Sequence, residues 1–229
     1  VATSGTITFN LNAQQVIDTA LQKIGVLGEG ETASGNQYTE AERELNLMGH
    51  TWSMEGPNLW TLAEATITLV SGTQEYTLTP RPRSVMNMRF AIDGVEQYPM
   101  SEWDRQDWDR FPMKTQTGNP LKYVIDRQRA STTVKVWPVP SFASGTYTAV
   151  YSYERVWQDI TSPSQDLDVP QEWLETVTVN LGARLADDYR LSGPHIERVR
   201  DRAMRLYDMA MTADRRGDVR IRVGGGGGR

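Results

Sequence analysis

The sequence predicts an α+β fold: a helical bundle assembled from both chain ends, an antiparallel β domain inserted between them, and a flexible C-terminal arm. Three observations carry this expectation. Apolar residues recur at helical spacing before residue 62 and after residue 163. Between those stretches they alternate in strand fashion, and the segment from Gly217 onward ends in five consecutive glycines and an arginine, too costly in backbone entropy to fold alone. The expected organisation is a helical body over 1–62 and 163–216, a β domain over 63–162 and an arm over 217–229.

The first helix follows Asn12, a favourable N-cap, with Val16, Ile17, Ala20, Leu21 and Ile24 on one face and Gly25 placed to end it. A polar, Gly-rich stretch from Gly28 to Gln37 leads to Thr39-Glu40-Ala41-Glu42, which reads as a capping box opening a second helix through Leu45, Met48 and Trp52. Gly56-Pro57 closes that helix. Neither is long enough to be stable alone, so their apolar stripes must pack on each other or on another helix pair.

From Ala65 the period shortens to two. Thr66 to Val70 and Tyr76 to Leu78 read as strands, and Val85 to Ile92 meets Val95 to Tyr98 across Asp93-Gly94, a two-residue hairpin signal. Leu121 to Asp126 and Thr132 to Trp137 form another pair, and Thr146 to Tyr153 brings the block to about six strands. Ser101 to Phe111, with Trp103, Trp108 and Phe111 among charges, interrupts them as a short helix or structured loop. After the connector Pro163 to Pro170, a long helix carries Trp173, Val177, Leu181 and Leu185 to Ser192-Gly193-Pro194. A last helix carries Ile196, Val199, Ala203, Leu206 and Ala210 to about Arg215. No internal repeat of solenoid or propeller type is present.

With 38% apolar residues, including 7 Trp and 9 Tyr, the chain of 229 residues is too apolar for disorder, yet it contains no span of eighteen apolar residues. A soluble protein without membrane contact is expected. The opening Val1-Ala2-Thr3-Ser4-Gly5 does not resemble an export signal, and the absence of cysteine excludes disulfides, thiolate zinc sites and a cysteine nucleophile. The net charge of −5 is uneven: Arg190 to Arg229 holds ten arginines against five acids, a net +5 that leaves −10 for residues 1–189. Arginine alone, without lysine, suits forked pairing with carboxylates or phosphates at an interface; solvated charge pairs along a helix are the plainer alternative.

Catalytic frames are missing. His50 and His195 are isolated from each other, and no His-x-x-x-His, Gly-x-Ser-x-Gly, Walker loop or dinucleotide fingerprint occurs. His50, inside the second helix near Trp52, reads as a hydrogen-bonded structural residue. The carboxylate pairs Glu29 and Glu31, Glu102 and Asp104, and Asp187 and Asp188 lack a discriminating frame for glycan hydrolysis. No catalytic residue, metal or cofactor is therefore expected. The tryptophans at 60, 103 and 108 read as packing aromatics rather than base-stacking ones, because acids beside Trp103 and Trp108 would repel phosphates. Val219-Arg220-Ile221-Arg222-Val223 alternates apolar and basic residues, the pattern of a strand that adds to another subunit's sheet edge.

Ala20-Leu21-x-x-Ile24-Gly25, then Gly28-Glu29, Glu44-Leu45-Asn46-x-Met48, Trp52, Gly56-Pro57 and Leu59-Trp60, followed by Asp168-x-Pro170-x-x-Trp173, Leu181-x-x-x-Leu185-Ala186-x-x-Tyr189 and the arginine-rich helix, form an ordered set. In this the chain resembles the podophage head-to-tail adaptor family, which includes tail accessory factors and, more distantly, tail tubular protein A. The resemblance covers both chain ends; the β region matches only in kind.

The resemblance implies a non-enzymatic virion protein at the head-tail junction, assembled in the host cytoplasm. It implies a homo-oligomeric ring, commonly of twelve copies, docked beneath the portal protein. Such a ring lengthens the channel for double-stranded DNA without sequence-specific binding, helps retain the packaged genome and gives the nozzle or another tail protein a platform. Portal contact is expected from Arg215, Arg216, Val219, Arg220, Ile221, Arg222, Val223 and Arg229. The competing readings are another tail component, such as a nozzle or tail-tube subunit, and a glycan-active virion hydrolase.

Overall fold

The computed structural model describes residues 5–6, 8–55, 59–142 and 144–215. The chain divides into two compact units, one made of the residues up to Trp60 and from Trp157 onward, the other of Thr61–Val156.

Helix α1, Ala13–Lys23, starts where sequence places it. The Asn12 side chain accepts from the Gln15 amide at 2.9 Å, and the Gln15 side chain accepts from the Asn12 amide at 3.0 Å, a reciprocal capping box. Two further first-turn amides, of Ala13 and Gln14, donate to the carbonyls of Gln165 and Pro163. The connector of residues 163–165 thus satisfies donors that the helix itself leaves unpaired.

Helix α2, Gly35–Met54, begins earlier than the Thr39 box predicts. Ser34 is the N-cap and Gln37 completes its box. The Thr39 hydroxyl instead donates to the Gly35 carbonyl at 2.9 Å, inside a helix already under way. Ser34 wins because its frame adds another turn to the helix and lets Tyr38 join Ala41 on the buried face.

The second unit contains β1 (Leu62–Thr68), β2 (Glu75–Thr77), β3 (Pro82–Ile92), β4 (Val95–Glu102), α3 (Arg105–Arg110), β5 (Thr117–Gly118), β6 (Lys122–Arg127), β7 (Thr132–Trp137), β8 (Val139–Pro140) and β9 (Tyr147–Arg155). Seven strands form one sheet in the order β1-β9-β3-β4-β6-β7-β2. Every pairing in it is antiparallel except β4 with β6, where Ser101 and Glu102 lie parallel to Lys122 and Tyr123. A small parallel ladder joins β5 to β8.

The strand segments marked by alternation correspond to the strands of this sheet; β5 and β8 lie outside them, because such short pieces carry no alternation long enough to recognise. The Asp93-Gly94 turn forms as predicted, with both residues at positive φ, 49° and 80°. Bulges in β3 near Val85 and at Phe90/Ala91 adjust its register against β9 and β4. The core includes Val85, Met88, Phe90, Tyr123, Val134, Val136, Ala149, Tyr151 and Tyr153.

Returning to the first unit, Pro170 precedes a single 3-10 turn, Gln171–Trp173, rather than the first turn of the long helix itself. Helix α4 then spans Leu174–Asp188 and α5 spans Pro194–Arg215. Arg190, at φ 53°, and Gly193, at φ 114°, make the turn between them. One core holds Val16, Ile17, Ala20 and Leu21 of α1, Leu45, Met48 and Trp52 of α2, Val177, Leu181 and Leu185 of α4, and Ile196, Val199 and Ala203 of α5.

Helix α4 is buried on more than one face, as the element that the other three helices share must be. Gly182 lets it approach α1 closely: a Cβ there would stand 3.2 Å from the Ala20 carbonyl oxygen. Trp157 and Ile160, immediately after β9, are also buried in this unit.

Candidate interaction surface on the last helix

Arg215 is the final residue of α5. Its side chain, together with Arg216, Val219, Arg220, Ile221, Arg222, Val223 and Arg229, lies outside the described residues, so the surface available is α5 from Pro194 to Asp214.

Helix α5 is held to the body by apolar and polar contacts in register. Ile196, Val199 and Ala203 are buried, and the Asn180 side chain on α4 donates to the carbonyls of Thr176 and Ala203, bridging the two helices at 2.9 and 3.1 Å. Further along, Tyr207 packs 5.0 Å from Trp52 and 6.3 Å from Trp173, and its hydroxyl donates to Glu55, the residue that ends α2. Trp60 joins the same aromatic group, 4.9 Å from Trp173, with its indole N–H donating to the Asp168 carbonyl.

The arginines of α5 fall into two sets. Arg200 donates to Asp187 at 2.5 Å and to Glu197 at 2.6 Å, an arrangement that raises its pKa further through the Asp187 hydrogen bond. Arg202 pairs with Glu175 of α4. These two fasten the helix to its own chain. Arg198 and Arg205 are exposed and have no partner among the described residues. A cleft of about 390 Å³ beside Arg198 is lined by Lys23, His195, Arg198 and Arg202 over a floor that includes Val179 and Val199.

The residues weighed for chemistry are occupied structurally. His50 hydrogen-bonds Asp159 at 2.7 Å, and His195 donates through Nε2 to the Lys23 carbonyl at the C-terminus of α1, also at 2.7 Å. Glu31 accepts from the Gly28 amide, Asp104 caps α3 through the Asp107 amide, and Asp187 holds Arg200. Trp103 packs 5.0 Å from Phe111, 5.4 Å from Trp137 and 6.5 Å from Trp108, with Lys122 4.6 Å above its face.

Among the described residues, no cluster of three or more His, Asp or Glu side chains suits a metal ion, and no helix is long and apolar enough to cross a membrane. The sequence reading counted the acids of α5 without giving them a place: Asp201 and Asp208 are exposed and have no partner among the described residues. The signal that marks them is their seven-residue spacing, two helical turns, which repeats that of Arg198 and Arg205.

The fold and this surface define a class: a mixed α+β chain whose final long helix is anchored by part of its charge and presents the rest outward. A family model described as SU10 adaptor protein matches residues 11–224, and the chain belongs to that family. It is a phage structural adaptor, a component of the virion. No curated protein matches the chain. The match spans the two helical stretches and the β region together, so the sheet, which resembled adaptors only in kind at the level of motifs, is part of the family's pattern.

Proposed function

We propose that the protein is a head-to-tail adaptor that assembles as a ring of identical copies beneath the portal, twelve in the family that the sequence resembles. The ring extends the channel through which double-stranded DNA passes, helps retain the packaged genome, and offers a platform to the nozzle or another tail protein. It acts at the head-tail junction of the virion and assembles in the host cytoplasm. The helical unit is the body of the ring, a bundle drawn from both ends of the chain, and the β domain is its insertion.

The observation that carries this reading is the family match over residues 11–224. The charge distribution supports it. Residues 1–189 carry a net −10, compatible with a channel along which phosphates slide rather than stick. The basic end of the chain, with Arg215, Arg216, Val219, Arg220, Ile221, Arg222, Val223 and Arg229, grips the portal through forked arginine pairing and strand addition.

Removing residues 217–229 tests the gripping role. The truncated protein keeps its melting temperature and loses portal binding in a pull-down; binding at full strength would refute that role. Negative-stain images of the protein mixed with portal should show a closed ring on the portal, and their absence would count against the adaptor placement.

A further inference from the structure

Helix α5 carries exposed charge in two separated stripes. Glu197, Asp201, Met204 and Asp208 follow a spacing of four, three and four residues, and Arg198, Arg202, Arg205 and Met209 repeat it one residue later. At 3.6 residues per turn the two rows lie about 100° apart around the helix, either side of the face opposite buried Ile196, Val199 and Ala203. One flank is acidic and the other basic, and each carries one methionine, Met204 at 67% and Met209 at 68% exposure. All eight side chains are exposed.

Within the chain, Glu197 pairs with Arg200 and Arg202 with Glu175. Two acids, Asp201 and Asp208, and two arginines, Arg198 and Arg205, have no partner among the described residues. Each unpaired set spans seven residues, or about 10.5 Å along the helix.

We propose that the basic flank of α5 docks against the acidic flank of α5 in a second copy of this chain. With the two helices running the same way, Arg198 meets Asp201 and Arg205 meets Asp208 of the next copy, because equal spacing brings both pairs into reach together. Met209 and Met204 cover the flanks with flexible apolar surface, and the cleft floored by Val179 and Val199 gives the contact depth. The contact joins unlike patches, so it is heterologous: every copy that offers a basic flank still has an acidic flank free, and the series closes only as a ring. Duplex DNA would also fit a basic flank, but it leaves the acidic stripe without a role.

The inference rests on the adaptor reading only in expecting many copies, and its test reads contact between copies rather than docking to portal. The chain has no cysteine, so Arg198→Cys and Asp201→Cys can be made separately and mixed, alone and with portal, before a short thiol-specific cross-linker is added. The mixture should yield cross-linked unlike chains at least tenfold above either variant by itself. Efficient self-cross-linking of Arg198→Cys, or no mixed product in either condition, would overturn the proposal.

Charge reversal gives a second readout on the full chain. R198E/R205E and D201R/D208R each associate at least tenfold more weakly than the wild type in sedimentation velocity. Mixed together they regain association, since one now has two acidic flanks and the other two basic flanks. Wild-type association by both variants, or loss of duplex DNA binding by R198E/R205E with self-association intact, would exclude the contact between copies.

Discussion

Gly49 lies so close to the indole of Trp157 that a Cβ at position 49 would fall 2.3 Å from Cε2 and 2.5 Å from Nε1 of the ring. Trp157 is 3% exposed, and it covers α2 where that helix offers bare backbone. Gly49→Ala gains roughly 1 kcal/mol of helix propensity but forces the ring out of its seat, so a net loss of about 1–3 kcal/mol is expected. Urea denaturation measures it. A double-mutant cycle with Trp157→Leu should recover most of the loss, and strict additivity would show that the ring is not what Gly49 accommodates.

Asn46 on α2 clamps a segment that enters the same unit far downstream. Its Nδ2 donates to the Ile160 carbonyl at 2.9 Å and its Oδ1 accepts from the Ile160 amide at 2.8 Å, reproducing the two bonds of a strand neighbour. Asn46→Ala leaves both backbone groups without a partner in a partly buried place, at about 1–3 kcal/mol. Asn46→Asp keeps only the acceptor and sets a carboxylate against a carbonyl oxygen. Its urea midpoint at neutral pH should fall below that of Asn46→Ala.

In the β unit, Glu154 is 6% exposed and is held by Arg83 and Ser84. The two partners are not equivalent, because Arg83 is more open to solvent than the carboxylate. Arg83→Met strands a buried charge and should destabilise by about 3 kcal/mol, whereas Glu154→Gln leaves an arginine that water can reach and should cost about 1 kcal/mol. Equal midpoints for the two variants would contradict this asymmetry.

Several buried tyrosines make the fold sensitive to alkali, two of them most strongly. Burial, reinforced by the negative charge of Glu42, pushes Tyr38 up to about 12, and burial with Glu102 nearby does the same to Tyr123. The unfolded phenols ionise near pH 10 while the folded ones still hold their protons. The unfolded state therefore binds fewer protons, and stability is intact below pH 10 and declines as pH rises from 10 toward 12. Each of these two tyrosines contributes a decline of up to roughly 2–3 kcal/mol across that window. Tyr123→Phe should flatten the pH dependence of the β unit, as followed by amide exchange of β6 and β7; an unchanged slope would remove Tyr123 as a source.

Much of this was legible beforehand where a local rule decides the outcome. Asn12 caps α1 because its frame is followed at once by an apolar stripe, and Asp93-Gly94 turns because both residues tolerate positive φ. Thr39 misled because a Thr-Glu-Ala-Glu frame looks the same at the start of a helix and one turn inside it. Burial of Tyr38 distinguishes the two, and burial is a tertiary fact. The parallel pairing of Ser101 and Glu102 with Lys122 and Tyr123 was likewise beyond reach, since alternation identifies strands without naming their neighbours. On α5, arginine content was visible as a total. The division into an acidic and a basic flank emerges only when the residues are placed on a helix whose buried side is known.

Strand β9 is the last of the sheet to be synthesised, and it sits between β1 and β3, two of the earliest. Seven consecutive residues of β1, Leu62 to Thr68, find their hydrogen-bonding neighbours in β9, from Glu154 back to Thr148, 80 to 92 residues later. A growing chain therefore carries β1 without a mate, and β3 with one side open, until Tyr147–Arg155 has left the ribosome. Contacts so distant in sequence form slowly, and open strand edges attract other chains in the interval. Premature termination anywhere before Tyr147 should consequently give aggregates rather than a smaller folded sheet.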